Sequence, residues 1–140
     1  MRLFIDTWGW VTLYNRREER HEEVKAYYRR LREQRWTMYT SDYVLDETFT
    51  LLFRRLPFGQ AKTSLDALDR ATREGYLVLE RITPERFERA KLLRLRFQDK
   101  PLISFTDLSS MTVMEELDIR HVLTADAHFS HVGMGLQVVP

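Results

Sequence analysis

The stretch LFIDTWGW, residues 3–10, decides the fold class of this chain. Its first three residues are apolar and form a run typical of a short buried strand, and Asp6 follows that run directly. Residues from about 7 to 14 then have the pattern of a helix. A buried strand that passes straight into a helix is typical of α/β proteins, whose parallel strands are joined by helices.

The same alternation of strands and helices continues along the chain, without a linker, an internal repeat or a low-complexity stretch. Ser41 or Asp42 is suited to cap a helix, Gly75 to end one, and Thr83 with Pro84 to open another. The pattern predicts a parallel sheet with helices on both faces, in one domain covering residues 1–140. The predicted strands are 3–5, 37–39, 76–79, 119–123 and 136–139, and the predicted helices are 7–14, 18–34, 42–56, 60–74, 84–97 and 106–117.

The composition is that of a globular protein with little net charge. Hydrophobic residues make up 44% of the 140 residues and charged residues 31%, and the formal net charge is +1. The absence of cysteine excludes disulfides, thiolate catalysis and zinc–thiolate sites. The longest apolar run, 76–79, is far shorter than the roughly 20 residues that a membrane span needs. An acid at position 6 stands where a secretory signal would be apolar, so a cytoplasmic protein is expected.

Arginine dominates the positive charge, with 18 arginines and 4 lysines among the 22 basic residues. The planar guanidinium suits phosphate oxygens and so favours an RNA partner, although genome composition or thermal adaptation explains the bias at least as well. The arginine pairs at 16–17, 29–30 and 54–55 are suited to RNA contacts, but solvated helix faces are the simpler interpretation.

Two acids follow predicted strands. Asp6 comes after the first strand, and Asp126 comes shortly after the strand that ends at residue 123. Ligands of parallel α/β sheets gather beyond the carboxyl ends of the strands, so both acids are candidates for a binding site. Aspartates also cap helices and form turns, and either acid taken alone is explained in that way.

Two further acids lie on predicted helices. Glu47 stands at the edge of the apolar side of its helix, where a carboxylate needs a metal or a partner such as an arginine. Asp46 flanks the opposite edge of that side and is the rival candidate. Asp107 opens a later helix, where helix capping, shared with Thr106, is the alternative to a binding role.

Four carboxylates gathered in one cleft would repel one another, and some would stay protonated without compensation. A hard divalent cation removes that conflict, and oxygen ligands are those that Mg²⁺ and Mn²⁺ prefer. A bound ion of this kind polarises a phosphodiester and generates hydroxide from water, so no protein nucleophile is required. The absence of cysteine and of a persuasive Ser/His/Asp arrangement is consistent with such chemistry.

Four short stretches resemble, in this order, the successive motifs of PIN-domain nucleases: FIDT (4–7), VLDET (44–48), SFTD (104–107) and LTADAHF (123–129). Their order, their spacing and the total length all match, and the resemblance covers essentially the whole chain. It implies a three-layer α/β/α sandwich around a mainly parallel sheet, an acidic pocket holding Mg²⁺ or Mn²⁺, and hydrolysis of single-stranded RNA. Carried over by position, it implies metal-binding and catalytic roles for Asp6, Glu47, Asp107 and Asp126, and a supporting hydroxyl at Thr106.

The resemblance and the small size also imply partners. Small stand-alone members of this family are often toxins of VapC-type toxin–antitoxin pairs, usually homodimers that an antitoxin holds inactive. We therefore expect an endoribonuclease toxin that forms a homodimer and has a cognate antitoxin protein.

Some residues near the acids depart from the family pattern or have two explanations. Trp8 and Trp10 stand where the family commonly has small residues. They are suited to stacking on RNA bases, although positions in the core or at a dimer interface are more usual for tryptophan. For His128 and His131, after the fourth acid, a phosphate contact competes with a structural hydrogen bond.

Two other functions fit parts of the sequence. A non-catalytic PIN-like module that binds RNA or a protein is disfavoured because all four acids are present. An enzyme that uses Asp6 to accept a phosphate is disfavoured because a haloacid-dehalogenase-like enzyme needs a second acid two residues later, at Trp8. A response-regulator receiver would need an acidic pair before its acceptor strand, and none is present.

Overall fold

A five-stranded parallel sheet runs through the computed structural model, which describes residues 1–140. Strands and helices alternate along the chain, which confirms the predicted α/β class. The strands are β1 (Arg2–Ile5), β2 (Thr37–Ser41), β3 (Leu77–Glu80), β4 (His121–Leu123) and β5 (Gln137–Val139). The helices are α1 (Thr7–Tyr14), α2 (His21–Glu33), α3 (Asp42–Arg55), α4 (Phe58–Arg73), α5 (Pro84–Arg96), α6 (Phe105–Leu117) and α7 (His128–His131). None of these helices is both long enough and apolar enough to cross a membrane.

The strand order, β3-β2-β1-β4-β5, determines how the helices are distributed. The chain moves outward from β1 to β2 and β3, and then crosses to the other side of β1 to form β4 and β5. Because connections between parallel strands are right-handed, α1–α4 fall on one face of the sheet and α5–α7 on the other. The three-layer α/β/α sandwich predicted from the family resemblance is therefore confirmed.

Most helix ends lie where the sequence predicts them, because the capping residues form the expected contacts. The hydroxyl of Ser41 accepts a hydrogen bond from the Val44 amide at 3.1 Å, which identifies Ser41 rather than Asp42 as the cap of α3. Thr83 caps α5, with Pro84 in its first turn. Gly75 has a φ of 81° just after α4, a left-handed conformation that glycine adopts without strain.

Three differences from the sequence prediction concern helices α2, α6 and α7. Helix α2 begins at His21 rather than near residue 18, because residues 15–20 form a turn in which the side chain of Asn15 accepts from the Arg17 amide at 3.1 Å. Helix α6 begins at Phe105, and its cap is Ser104 rather than Thr106 or Asp107. Helix α7 was not predicted, since a four-residue helix is too short to have a hydrophobic period.

The core is built around β1, whose residues from Leu3 to Ile5 are fully buried. Trp10 is also buried, and its indole nitrogen donates to the Thr40 hydroxyl at 3.0 Å, so the stacking of Trp10 on RNA is ruled out and its core position is confirmed. Trp8 is half-buried, with the guanidinium of Arg20 lying 5.0 Å from its ring centre.

Gly9, between the two tryptophans, lets α1 lie directly on the ends of β1 and β4. A Cβ atom at this position would come within 2.9 Å of the Leu123 carbonyl oxygen and 3.0 Å of Ile5 Cγ2. Backbone atoms of a central strand cannot move aside as a flexible side chain can. Helix α1 therefore keeps its place beside the carboxyl edge of the sheet only while residue 9 has no side chain.

We predict that Gly9→Ala lowers the free energy of unfolding by about 1–2 kcal/mol, because the cost of overpacking exceeds the gain in helix propensity. Urea unfolding followed by circular dichroism measures the change. Gly59→Ala is the matched control, since nothing lies within 4 Å of a Cβ atom at that helical position. A Gly9→Ala variant as stable as Gly59→Ala would contradict the close packing of α1.

Candidate metal centre

Asp6 and Asp126 lie at the point where the strand order reverses. Ile5 pairs with Leu123 in the β1–β4 register, and the amide of Asp6 donates to the Leu123 carbonyl at 3.2 Å. Asp6 therefore extends just beyond the carboxyl end of β1, beside the segment that leaves β4. In open α/β sheets this reversal opens the crevice in which ligands bind.

Thr124 joins the two acids. Its hydroxyl donates to Asp6 Oδ2 at 2.9 Å and accepts from the Asp126 amide at 3.1 Å. Thr124 is only 1% exposed, so water does not compete for these hydrogen bonds. The sequence analysis missed this residue, and the available signal was a hydroxyl between the strand and the fourth acid.

Helix α6 brings the third acid to the same place. The Asp107 amide donates to the hydroxyl of Ser104 at 3.0 Å, so Ser104 rather than the Asp107 carboxylate caps the helix. Ligand atoms of Asp107, Asp126 and His128 lie within 4.8 Å of one another. The start of α6 and the segment from β4 to α7 therefore bring three side chains close enough to share one ion.

His128 is fixed beside Asp126 by the start of α7. The amide of His128 donates to Asp126 Oδ1 at 2.9 Å, and its ring nitrogen Nδ1 lies 3.1 Å from the same oxygen. Nδ1 is nevertheless without a well-aligned hydrogen bond, although it is buried. The ring therefore stands beside the fourth acid, and its contact with a phosphate stays a prediction.

Glu47 and Asp46 differ in their surroundings. Glu47 is exposed and has no arginine within ion-pair distance. The ion pair with an arginine, considered as the alternative to a metal, is therefore not formed. Its charge raises the pKa of Asp6, as only a nearby group does. Asp46 is exposed as well, and it lines a cavity together with Thr106, Tyr43, Asp42 and Phe105.

Thr106, predicted to support the third acid, lies in the first turn of α6. Its carbonyl accepts from the Ser109 hydroxyl at 2.6 Å, whereas its own hydroxyl forms no hydrogen bond with a carboxylate of the cluster. The hydroxyl contacts to the acids come instead from Thr124, to the Asp6 carboxylate, and from Ser104, to the Asp107 amide. The role of Thr106 at the site stays a prediction.

Burial makes the gathered negative charge costly. Asp6 is 6% exposed, and desolvation, together with the charges of Glu47 and Asp126, raises its pKa to about 6. Desolvation, followed by repulsion from Asp6 and a proton shared with Asp126, raises the pKa of Asp107 to about 8. At neutral pH the metal-free cluster therefore retains a proton that free aspartates would release.

The chain offers no compensating cation of its own, and residues close to the acids in sequence carry unsatisfied polar atoms. The one ion-pair contact of the four acids is that of Asp126 with His128. Three buried side-chain polar atoms have no partner: Thr7 Oγ1, Ser110 Oγ and His128 Nδ1. They belong to residues next to Asp6, one turn along α6 from Asp107, and two residues beyond Asp126. A hydrated divalent cation supplies the positive charge that the acids lack and prefers oxygen ligands such as their carboxylates, so this donor set fits such an ion.

Comparison with known proteins agrees with this geometry. The PIN domain family matches residues 3–134. The chain belongs to the PIN-domain family. A relative of this PIN domain, the 23S rRNA-specific endonuclease VapC20 of Mycobacterium tuberculosis, is 30% identical over 132 residues, which are 94% of each chain.

Two solved structures resemble this PIN domain. Mycobacterium tuberculosis VapC20, described as a Sarcin-Ricin loop cleaving toxin, superposes with a TM-score of 0.78 and 30% identity over 94% of this chain and 95% of that one. VapBC2 from Rickettsia felis, bound to a DNA fragment from its promoter, superposes with a TM-score of 0.72 over 99% and 98% of the two chains. Its 17% identity shows a shared fold alone.

We predict that Asp107→Asn stabilises the metal-free protein, and by more at pH 8 than at pH 5. The folded state holds a proton above pH 4 that the unfolded chain has released, so the acid cluster costs stability as the pH rises toward 8. Each kcal/mol gained by the variant corresponds to about 3–5 °C in Tm. Calorimetry in EDTA measures this, with the exposed Asp69→Asn as control. A difference in Tm that does not grow with pH would contradict the repulsion.

We predict that Thr124→Val weakens Mn²⁺ binding about tenfold or more, because it frees the Asp6 carboxylate and the Asp126 amide from their shared hydroxyl. Isothermal titration calorimetry measures the affinity. Thr112→Val is the matched control, since Thr112 is equally buried but donates only to the Leu108 carbonyl within α6. Equal Mn²⁺ affinities for the two variants would show that Thr124 does not position the acids.

Proposed function

We propose that this PIN domain is a metal-dependent endoribonuclease that hydrolyses phosphodiester bonds of single-stranded RNA. The observation that carries the proposal is the convergence of Asp6, Asp107 and Asp126 on one crevice without a lysine or arginine to neutralise them. A relative that is 30% identical over nearly the whole chain is named as an rRNA endonuclease, which supports the same reaction here.

The ion of this proposal is Mg²⁺ or Mn²⁺. Asp6, Glu47, Asp107 and Asp126 would hold it, and the imidazole of His128 stands within reach of the same position. When bound, such an ion supplies Lewis-acid polarisation of the phosphodiester and lowers the pKa of attacking water. Its positive charge also offsets the repulsion that raises the pKa of Asp107.

Side chains of the protein position the acids and exclude water from them. Thr124 holds the carboxylate of Asp6 and the backbone of Asp126 in one orientation, so the oxygens do not rearrange when an ion binds. The burial of Asp6 keeps water from screening this part of the site. Thr106 would complete the site as a supporting hydroxyl on the face that it shares with Asp46.

The alternative function is a PIN-like module that binds RNA or protein without catalysis. Such a module gains nothing from a buried carboxylate cluster whose repulsion costs stability, and neutral residues would relieve that cost. This chain retains all four acids in one neighbourhood, which favours the enzyme.

The proposal extends to biological partners. VapC20, a toxin that acts on 23S rRNA, is similar to this chain along 94% of both sequences, so we propose that the chain is the toxin of a toxin–antitoxin pair. A cognate antitoxin and a homodimer belong to the same proposal. Light scattering tests the homodimer, and growth arrest on expression, relieved by a neighbouring gene, tests the pairing.

We predict that the purified protein cleaves labelled single-stranded RNA with Mg²⁺ or Mn²⁺ and does not cleave it in EDTA. Asp107→Asn should lower the cleavage rate about 100-fold or more, because it removes a charged ligand while leaving the cap by Ser104 intact. Asp69→Asn, on the exposed face of α4, should cut at the wild-type rate. Ribosomal RNA is the first substrate to include.

The same assay separates the two neighbouring acids of α3. Glu47→Gln should impair cleavage, whereas Asp46→Asn should not, since only the charge of Glu47 reaches Asp6. Cleavage by Asp107→Asn at the wild-type rate would remove that residue from the active site. A folded wild type that binds neither metal nor RNA would support the non-catalytic module instead.

A further inference from the structure

A second concave region lies away from the acids, between the turn at residues 15–20 and the corner that joins α3 to α4. It consists of two adjoining cavities that share Tyr14, Arg16, Pro57 and Gln60 in their walls. The larger cavity has a volume of about 610 Å³, within the range of sites that hold a nucleotide-sized group. We call the two cavities together the basic cleft.

The charges in the walls of the basic cleft all have one sign. Arg16, Arg17, Lys25 and Arg55 line it, and no carboxylate does. The first three side chains are exposed and have no acidic partner within 4.0 Å, while Arg55 has a loose contact with Glu18 at 3.7 Å. In a chain whose net charge is only +1, this is a local excess of positive charge that an anion would neutralise.

Buried hydrogen bonds hold the cleft in shape. Nδ1 of His21 donates to the Thr12 carbonyl at 2.8 Å, which fastens the start of α2 to α1. Asn15 accepts from the Arg17 amide at 3.1 Å, and both Asn15 and His21 are buried. The backbone that carries the two arginines is therefore fixed before any ligand arrives, so less conformational entropy is lost on binding.

Two helices connect the basic cleft with the acids. Helix α1 starts just after Asp6 and ends just before Asn15, a span of about 13 Å at 1.5 Å per residue. Helix α3 packs against α1 and leads from Glu47 to Arg55, a span of about 12 Å. Both helices thus lead from the candidate metal centre toward the cleft.

We propose that the basic cleft binds backbone phosphates of the RNA strand a few nucleotides away from the phosphodiester at the acids. The inference rests on the proposed ribonuclease function. Guanidinium forks match phosphate oxygens, and the side-chain amide of Gln60 adds a polar donor to the wall. Only two of the ten residues lining the larger cavity are hydrophobic, so an apolar peptide finds little surface to bury there.

The test compares two double variants that remove equal charge. Arg16→Gln with Arg17→Gln alters the cleft, and Arg70→Gln with Arg73→Gln alters exposed, unpaired arginines on α4. Binding of a fluorescein-labelled single-stranded RNA of about 20 nucleotides is measured by anisotropy in EDTA, where no cleavage occurs. The cleft variant should bind roughly tenfold more weakly, and its slope of log K against log salt should be shallower by about 1.4, or 0.7 for each lost phosphate contact. The control should match the wild type.

The binding assay is carried out in EDTA and does not require cleavage, so it tests the basic cleft separately from the ribonuclease activity. A protein that cuts RNA but binds it equally well in both double variants would overturn the cleft and leave the ribonuclease standing. Photo-cross-linking with 4-thiouridine RNA supplies a second readout, in which the cleft predicts labelled peptides covering residues 14–17 and 55–60. Labels confined to other segments would overturn the proposal, as would a wild type whose RNA affinity does not depend on salt.

Discussion

Repulsion among carboxylates at the reversal of strand order is the constraint on which the rest of the structure depends. The crevice between β1 and β4 exists because the chain forms one half of the sheet on each side of β1. Asp6 and Asp126 enter that crevice from the two strands, and α6 adds Asp107 from the face of α5–α7. Thr124 keeps the first two acids in fixed positions, so their charges cannot relax apart. The resulting loss of folding stability corresponds to the raised pKa values of Asp6 and Asp107.

The same constraint couples folding to metal binding. A cation that binds the folded crevice, and not the unfolded chain, adds its binding free energy to the stability of the protein. Rigid packing makes that coupling effective. The missing side chain at Gly9 lets α1 lie close to the strand ends, and Trp10 of α1 donates a hydrogen bond to Thr40 of β2. The metal centre is thus built on elements that have little freedom to adjust.

The parts of the molecule that the sequence predicts are those governed by local rules. Asp6 is visible because it follows an apolar strand, and the cap at Thr83 because Pro84 follows it. Thr124 is not visible in this way, since its hydroxyl donates to Asp6, which only the tertiary fold brings near. Trp10 is a similar case, because the hydrogen bond that fixes it in the core joins it to Thr40, 30 residues away.

The four candidate acids and the basic cleft illustrate a further limit of the sequence. The family motifs point to the acids, but only the structure separates Glu47 from Asp46 by their neighbours. The arginine pairs along the chain look alike as sequence, and a solvated helix face is the simpler interpretation of each. Arg16 and Arg17 differ from the others because the turn at residues 15–20 folds them into a concave wall opposite the α3–α4 corner.

The hydrogen bond between Thr124 and Asp6 joins residues that are 118 positions apart. Strand β4 must be inserted beside β1 before this contact can form. A chain in which β4 has not yet joined the sheet therefore carries separate acids, so the candidate metal centre exists only once both halves of the sheet have met at β1.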